Sequence, residues 1–390
     1  MQDYIFILGR DPELSLLELA SYFRARNMDF QIKETREKQH FSGHQNAGGV
    51  LSESETAVLI SLPELDFAKI IKDLAGTVKI ARVITNLDEE ELYTGVSNKI
   101  KYAISSYDDS DIDELKEYLK KRMRQEKLKA VLKRSSREEA FLMPSDVVRH
   151  KLMGEGFEIV VYNNVIAKTV AVFNPYEYEK RDKERPLQRP LHMISIRLAK
   201  MLINLSGAKE KDVLLDPFCG YGILLQEAML MGLDVIGIDK SRECSDASRK
   251  NLEFTAKKYM LQSRLKIFND DSRRLSRFVI KVNAAATEPY MGPLLNKLPT
   301  KENALLAVKE LSPLYEDVLK ELSKSVSGNI AIIIPRFRLH TGERIKLNFE
   351  RIIKEAGLKP VSIVPFMQFP VIYTAPDSKM EREVWVLAKA

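Results

Sequence analysis

The feature that most constrains the fold is the succession of a strand, a glycine turn, a helix and a second strand in residues 213–239, "VLLDPFCGYGILLQEAMLMGLDVIGID". The first strand ends at Asp216 and the second at Asp239. Between them, Gly220 and Gly222 allow the backbone to approach a ligand closely. In doubly wound sheets ligands bind at the carboxyl ends of the strands, and an acid ending the second strand can accept hydrogen bonds from ribose hydroxyls. The pattern therefore predicts an α/β domain that binds an adenosine-containing cofactor.

The glycine turn also discriminates between such cofactors. A dinucleotide fingerprint requires a third glycine three positions after the second, and Leu225 stands there. S-adenosylmethionine needs less room because it carries an amino acid moiety instead of a pyrophosphate, and Asp216 could lie near its ammonium group. The pattern favours S-adenosylmethionine, with the alternative that Asp216 and Asp239 are only helix caps or turn formers.

The order of the later strands supports the same reading. "NIAIIIP" is predicted as a fifth strand, "KPVSIVPF" as a sixth and "REVWVLAK" as a seventh, with no helix between the last two. Such a closing hairpin places an antiparallel strand in an otherwise parallel sheet, whereas a dinucleotide fold would end with another crossover helix. We expect a Rossmann-like sheet of the methyltransferase type.

The stretch Thr287, Glu288, Pro289, Tyr290 follows the predicted fourth strand and could carry chemistry. Nucleobase amino groups are poor nucleophiles, so methylating one requires an acceptor that orients the N–H and stabilises developing positive charge. Glu288 or a backbone carbonyl would serve, Pro289 would stiffen the loop, and Tyr290 offers a flat face for an extruded base. The alternative is an ordinary surface turn.

Strand and helix patterns divide the chain into four parts. Residues 1–86 alternate strands and helices as a ferredoxin-like α+β domain would, and residues 87–173 form a second segment ending in a predicted hairpin. Residues 174–192, rich in proline and charge, are interpreted as a linker. The cofactor-binding domain then occupies residues 193–390.

Two local predictions concern the N-terminal half. Ser15 and Glu18 have the spacing of a reciprocal capping box at the start of a helix. Residues 111–133 are predicted as one helix whose end is strongly basic. That basic stretch could hold phosphates or could be an ordinary solvated face.

Composition excludes several classes of protein. The chain has 390 residues, a net charge of +6 and two cysteines, too few for a disulfide framework or a zinc site on their own. No run of about eighteen apolar residues occurs and the N-terminus does not resemble a secretory signal, so we expect a cytoplasmic protein without a membrane span. His192 and His340 have no partners at metal-binding spacing, and we expect no metal.

Three motifs together resemble a known family. "RPLHMISIRLAKMLINLSG", "DPFCGYGILLQEA" and "TEPYMGP" are similar to the tRNA guanosine-10 N2-methyltransferases, S-adenosylmethionine-dependent enzymes related to amino-methylating DNA and RNA enzymes. "DYIFILGRDPELSLLELASYF" resembles their N-terminal ferredoxin-like domain. The resemblance covers nearly the whole chain and implies a class I methyltransferase, with residues 87–173 as a THUMP domain that holds tRNA. A monomer is favoured.

The resemblance also implies roles for individual residues. Those implied to line the cofactor are Asp216, Phe218, Gly220 and Gly222 at the methionine end, Asp239 at the ribose, and Asp271, together with Asp270, at the adenine amino group. Those implied to face the guanine are Glu288, Pro289 and Tyr290.

This chain departs from the family pattern at several positions. Tyr221 and Ile223 stand where the family usually has Ser and Thr, and the usual Asp-Pro-Pro-Tyr tetrad reads Thr287, Glu288, Pro289, Tyr290. Either Glu288 replaces the aspartate after a shift or Thr287 occupies its place. Two further functions therefore stay open, an adenine N6 methyltransferase acting on DNA and an RNA-binding protein that keeps the fold without activity.

Overall fold

The computed structural model describes residues 1–33, 56–108, 110–135, 137, 139–188, 194–375 and 378–390. They group into two compact units. The first comprises residues 1–15, 28–33 and 56–183, and the second comprises residues 16–27 and 184–390, with the same gaps. Residues 189–193, which include His192 and the predicted end of the linker, lie outside the described residues.

The first unit is built on one mixed sheet. Its described strands are Gln2–Leu8 (β1), Gln31–Ile32 (β2), Ala57–Leu62 (β3), Thr77–Val83 (β4), Lys99–Ser106 (β5), Lys129–Leu132 (β6), Gly156–Tyr162 (β7) and Val165–Val172 (β8). They lie in the order β2-β3-β1-β4-β8-β7-β5-β6. The two predicted N-terminal segments thus share one sheet, and the domain boundary near residue 86 stays a prediction.

Helices alternate with these strands along the chain. Up to residue 184 the described helices are Pro12–Ala25 (α1), Phe67–Asp73 (α2), Asp113–Gln125 (α3), Pro144–Arg149 (α4), Leu152–Glu155 (α5) and Pro175–Glu184 (α6). The predicted hairpin is confirmed, since β7 and β8 pair antiparallel and Asn163 and Asn164 adopt the positive φ angles that a tight turn requires.

Two local predictions were wrong. The helix containing Ser15 starts at Pro12, so Ser15 lies inside it and donates to the carbonyl of Asp11 instead of forming a capping box. The predicted helix over 111–133 ends at Gln125, and its basic continuation becomes strand β6, parallel to β5. The segment interpreted as a linker contains helix α6, and its role as a linker between domains stays a prediction.

The second unit contains the predicted sheet. Its described strands are Val213–Asp216 (β9), Asp234–Asp239 (β10), Leu265–Asn269 (β11), Ala284–Thr287 (β12), Ile330–Arg338 (β13), Arg344–Lys346 (β14), Leu358–Pro360 (β15), Val371–Tyr373 (β16) and Met380–Lys389 (β17). The main path is β11-β10-β9-β12-β13-β17-β15, with β14 beside β13 and β16 beside β17. Strands β9 to β13 are parallel, and β17 is antiparallel to β13 and β15. The predicted Rossmann-like sheet with an antiparallel closing strand is confirmed, although the sixth strand is shorter than expected and β16 precedes the last.

Five helices among the described residues flank this sheet. They are Ile196–Leu205 (α7), Ile223–Leu230 (α8), Arg242–Lys258 (α9), Lys301–Ser325 (α10) and Phe349–Glu355 (α11). Helix α7 is capped by Ser195, whose hydroxyl accepts from the Leu198 N–H. Trp385 packs against Phe349 in the core between the sheet and helices α10 and α11. No helix among the described residues is long and apolar enough to cross a membrane.

Candidate active site

The order in which strands are added to the second sheet reverses between β9 and β12, which are parallel neighbours. From β9 the strand order runs outward through β10 and β11, and the chain then returns to place β12 on the other side of β9. Parallel pairing sets Leu214 opposite Val235 and Leu215 opposite Ala285, so the carboxyl ends of these strands share one edge. A crevice at such a switch point is where open α/β sheets bind their ligands.

The glycine turn lies directly at this edge. Gly220 and Gly222 have φ angles of +50° and +82°, in the region that favours glycine. A Cβ added to Gly222 would lie 2.6 Å from Ser248 Oγ, so close packing against helix α9 fixes this position. A Cβ at Gly220 would meet no atom within 4 Å, so this side of the turn borders open space.

Asp216 is buried at the end of β9. Its Oδ1 accepts hydrogen bonds from the Phe218 N–H at 3.0 Å and from Thr287 Oγ1 at 2.7 Å. Among the described residues Oδ2 has no hydrogen-bond partner. The pKa of Asp216 is raised from 3.8 to about 7, mainly by burial and also by the charges of Asp239 and Glu288, against the lowering effect of the two hydrogen bonds. A cationic ligand group would be stabilised beside this carboxylate.

Asp239, at the end of β10, closes the other side of the turn. Its Oδ2 accepts from the Gly220 N–H at 3.0 Å and its Oδ1 from the Ser241 N–H at 2.8 Å. Each oxygen keeps a lone pair that could accept from a hydroxyl group. Asn269 donates its side-chain amide to the carbonyls of Asp239 and Lys240, which fixes the backbone at this strand end.

Asp270 and Asp271 follow β11 at the same edge. Asp270 Oδ1 accepts from the Asp271 N–H at 2.7 Å. Asp271 caps the following 3-10 helix and holds the Arg273 guanidinium, and the hydrogen bonds from Arg273 hold the pKa of Asp271 below its usual value. The Asp271 carboxylate therefore already accepts hydrogen bonds from Arg273, and a ligand would have to bind it beside this guanidinium.

The four residues from Thr287, the last residue of β12, to Tyr290 are placed differently. Thr287 is fully buried and turned towards Asp216, whereas Glu288 accepts from Arg382 Nε through Oε1 at 2.7 Å. The side chains of Glu288 and Arg382 are 14% and 23% exposed, so the ion pair borders solvent. Thr287 and Glu288 were the two residues that could replace the aspartate of the family's tetrad. Of these, Glu288 has a carboxylate that remains available as a hydrogen-bond acceptor.

Tyr290 presents an exposed ring at this edge. The ring is 43% exposed, and Lys240 Nζ lies 5.9 Å from its centroid. The backbone of Tyr290 is fixed by a hydrogen bond, because the buried Tyr315 hydroxyl donates to the Tyr290 carbonyl at 3.1 Å. Burial raises the pKa of Tyr315 well above its usual value, so this hydroxyl remains a donor. Pro289 is buried between these two positions.

Sequence reasoning missed two residues that shape the site. Arg382 lies on the last strand, 94 positions from its partner Glu288, and no local pattern links them. Asn251, fully buried in helix α9, donates to the Tyr221 carbonyl of the glycine turn at 3.0 Å. No helix was predicted around Asn251, and a polar residue among the apolar positions of an amphipathic pattern in residues 242–258 was the available signal for it.

Comparison with known proteins identifies the class. Residues 183–287 match the family described as RMKL-like, methyltransferase domain. The open space beside Gly220, Oδ2 of Asp216 and the two acceptor oxygens of Asp239 fit S-adenosylmethionine, which carries an ammonium group on its amino acid moiety and hydroxyl groups on its ribose. The second unit therefore contains a methyltransferase domain, and the predicted enzyme class and cofactor are confirmed.

Curated relatives show which methyltransferases this chain is similar to. A tRNA (guanine(10)-N2)-dimethyltransferase of Methanothermobacter thermautotrophicus is 27% identical over 296 residues, which cover 75% of this chain and 78% of the relative. A tRNA (guanine(10)-N2)-dimethyltransferase of Methanocaldococcus jannaschii is 32% identical over 146 residues, 35% of this chain and 41% of the relative. The crystal structure of TrmN from Thermus thermophilus aligns over the full length of both chains with a TM-score of 0.46 and 13% identity. The resemblance to the guanosine-10 N2-methyltransferases is confirmed by the curated enzymes of that name to which the chain is similar.

Proposed function

We propose that this protein methylates the exocyclic N2 of a guanosine in tRNA, of the position-10 type. The observation that carries the proposal is the single sheet edge that joins the glycine turn to the Glu288–Tyr290 segment, with Thr287 and Asp216 linked at 2.7 Å. The names of the curated relatives supply the substrate class. They do not favour the DNA and inactive alternatives.

The chain's own residues have distinct parts in the reaction. Asp216 would hold the cofactor's ammonium group and Asp239 its ribose, with Phe218, Gly220 and Gly222 lining the methionine end, and Asp270 or Asp271 would accept from the adenine amino group. When bound, S-adenosylmethionine supplies an electrophilic methyl group.

The substrate base would be held on the other side of the edge. Tyr290 would stack on the everted guanine, and Pro289 would keep the loop stiff. Glu288 would accept an N–H of the amino group, which orients the nitrogen lone pair and stabilises the positive charge that develops on it. Thr287, donating to Asp216, holds the two halves of the site in register.

The first unit would bind the RNA as a THUMP-like domain. Exposed cations without an ion-pair partner among the described residues include Lys121, Arg124, Lys127, Lys129 and Arg134. Each could neutralise a phosphate, so recognition would depend on shape and charge. A monomer acting on cytoplasmic tRNA is consistent with these features.

The proposal is tested by incubating the purified chain and labelled cofactor with an unmodified tRNA transcript and with duplex DNA, followed by mass spectrometry of the nucleosides. We expect N2-methylated guanosine from the tRNA alone. The Glu288→Ala variant should lose methyl transfer by at least about 100-fold while calorimetry shows unchanged cofactor binding. Methylation of adenine in DNA, or full activity of Glu288→Ala, would contradict the proposal.

A further inference from the structure

The ion pair between Glu288 and Arg382 is fixed by backbone pairing on both sides. Arg382 lies opposite Pro335 of β13 and opposite Tyr373 of β16, so its backbone belongs to two ladders. Glu288 directly follows β12, and the next residue is a proline. Two side chains that are 94 positions apart are therefore anchored on rigid elements before they meet at 2.7 Å.

The pair leaves a defined set of acceptors on Glu288. Arg382 Nε occupies one lone pair of Oε1. The second lone pair of Oε1 and both lone pairs of Oε2 have no donor among the described residues. A carboxylate can only accept, and this one presents two neighbouring oxygens whose orientation is set by the arginine.

This arrangement matches one nucleobase edge. Guanine carries two adjacent donors, N1–H and the N2 amino group, on its Watson–Crick edge. Adenine and cytosine each place a ring nitrogen acceptor beside their amino group, so a lone pair would face the carboxylate. A partly buried pair of acceptor oxygens therefore favours guanine and disfavours the other amino-bearing bases.

We propose that Glu288 is a specificity-determining residue that reads the N1–H and N2–H of guanine together, and that Arg382 is the positioning residue that aims its carboxylate. The inference rests on the proposed function and adds to it the means by which the base is selected. The carboxylate lies close to the cofactor side of the site, because Glu288 directly follows Thr287, which donates to Asp216 at 2.7 Å. Tyr290 supplies stacking, which does not discriminate between purines.

A change of one base in the substrate tests this inference. Two tRNA transcripts are compared, one with guanosine at position 10 and one with 2-aminopurine, which keeps the N2 amino group but lacks O6 and has an acceptor at N1; the Glu288 and Arg382 variants separate the N1 contact from the loss of O6. For the wild-type chain we expect kcat/KM to be about 10- to 100-fold higher with guanosine, the range typical of one bidentate base contact. The fluorescence of 2-aminopurine in a titration without cofactor gives an independent measure of binding.

The variants separate selection from general damage. Glu288→Gln offers one acceptor and one donor, so it should lower the guanosine preference at least about 10-fold and tighten binding of the 2-aminopurine transcript. Arg382→Met should lower the same preference, and Arg382→Lys, which keeps one cationic donor, should restore part of it. Arg344→Met is the matched control, because Arg344 pairs with Glu381 at 3.2 Å on the neighbouring position of β17.

The outcomes distinguish the inference from the function beneath it. A changed preference in the Glu288 and Arg382 variants, with the Arg344 variant unchanged, supports the inference. Equal wild-type rates on both transcripts, or equal losses on both in the variants, would overturn the selecting pair while leaving N2 methylation intact. Absence of methylation on every transcript would overturn the proposed function and this inference with it.

Discussion

At the scale of single residues, the most unusual group is the carboxyl of Asp216. Its pKa in the folded chain is about 7, above the usual 3.8, because burial disfavours the charged form. Between about pH 4 and about pH 7 the carboxyl is ionised in the unfolded chain but protonated in the folded chain. The contribution of Asp216 to the free energy of unfolding therefore falls as the pH rises through this range. Asp216→Asn keeps acceptors for Thr287 and Phe218 and removes that cost. We expect the variant to gain thermal stability relative to wild type across this window, measured by melting temperature against pH.

A carboxylate with the opposite shift provides the control. The pKa of Asp271 is lowered by hydrogen bonds from Arg273, so its stabilising contribution is complete above the unfolded pKa and is lost only as the pH falls. The Asp271→Asn difference from wild type should therefore be flat from pH 5 to pH 8. Parallel melting profiles for wild type and Asp216→Asn would contradict the assigned titration.

The same residue governs how pH acts on the cofactor. An ammonium group beside Asp216 favours the ionised carboxylate, so binding should release a proton near neutral pH and affinity should rise as the pH increases through about 7. Calorimetry in two buffers of different ionisation enthalpy measures the protons released. The Asp216→Asn variant should release none at this group, and equal proton release in both proteins would place the effect elsewhere.

The two glycines of the turn make a matched pair of substitutions. Gly222→Ala combines a φ of +82° with a clash 2.6 Å from Ser248, so it should destabilise the chain by about 1–3 kcal/mol. Gly220→Ala meets no atom, so it should cost about 1–2 kcal/mol from its backbone angle alone and project a methyl group into the proposed cofactor space. Denaturant melts and calorimetric titration with S-adenosylmethionine separate the two effects. Unchanged cofactor affinity in Gly220→Ala would show that the open space is not the binding site.

At the scale of elements, the sequence predicted best where a hydrophobic period and a strong punctuation signal coincide. Strands β9, β10, β12 and β13 contain continuous apolar runs, and the type of sheet followed from the glycine turn and the missing final helix. The helix predicted over 111–133 failed because Lys127 adopts a φ of +57° that ends the helix, and the charged sequence beyond it pairs with β5. That pairing depends on tertiary context, which outweighs the helical propensity of lysine and leucine.

The basic residues of α3 and β6 carry a prediction of their own. Lys121 and Arg124 are exposed and have no ion pair among the described residues, so each can contact a phosphate. Replacing either by Gln should weaken RNA binding and reduce the slope of log K against log salt by about 0.7–0.9. Filter binding of a tRNA transcript at several salt concentrations measures the slope. Lys151→Gln is the control, because Lys151 already pairs with Glu155 at 2.9 Å and should change the slope less.

At the scale of the whole molecule, the candidate site joins residues that a local reading of the sequence cannot connect. The strand-end acids were predictable because parallel strands bring their carboxyl ends to one edge. The pairing of Glu288 with Arg382 depends on the register between β13 and β17, and the pairing of Thr287 with Asp216 on that between β9 and β12. Register across a sheet is fixed by the packed core and is not written in either segment alone.

If the first unit binds RNA phosphates and the second carries out the base chemistry, the effects of substitutions in the two units on kcat/KM should be additive. Lys121 and Arg124 belong to the first compact unit and Glu288 to the second, and they share no partner among the described residues. A chain with both Lys121→Gln and Arg124→Gln should mainly raise KM for tRNA, and Glu288→Gln should mainly lower kcat. Because sites without shared partners act independently, the free energies of the combined variant should sum to within about 0.5 kcal/mol. A larger coupling in kcat/KM would mean that phosphate binding and base chemistry are linked through a change of conformation, and single-turnover kinetics on the four proteins would show which step carries that link.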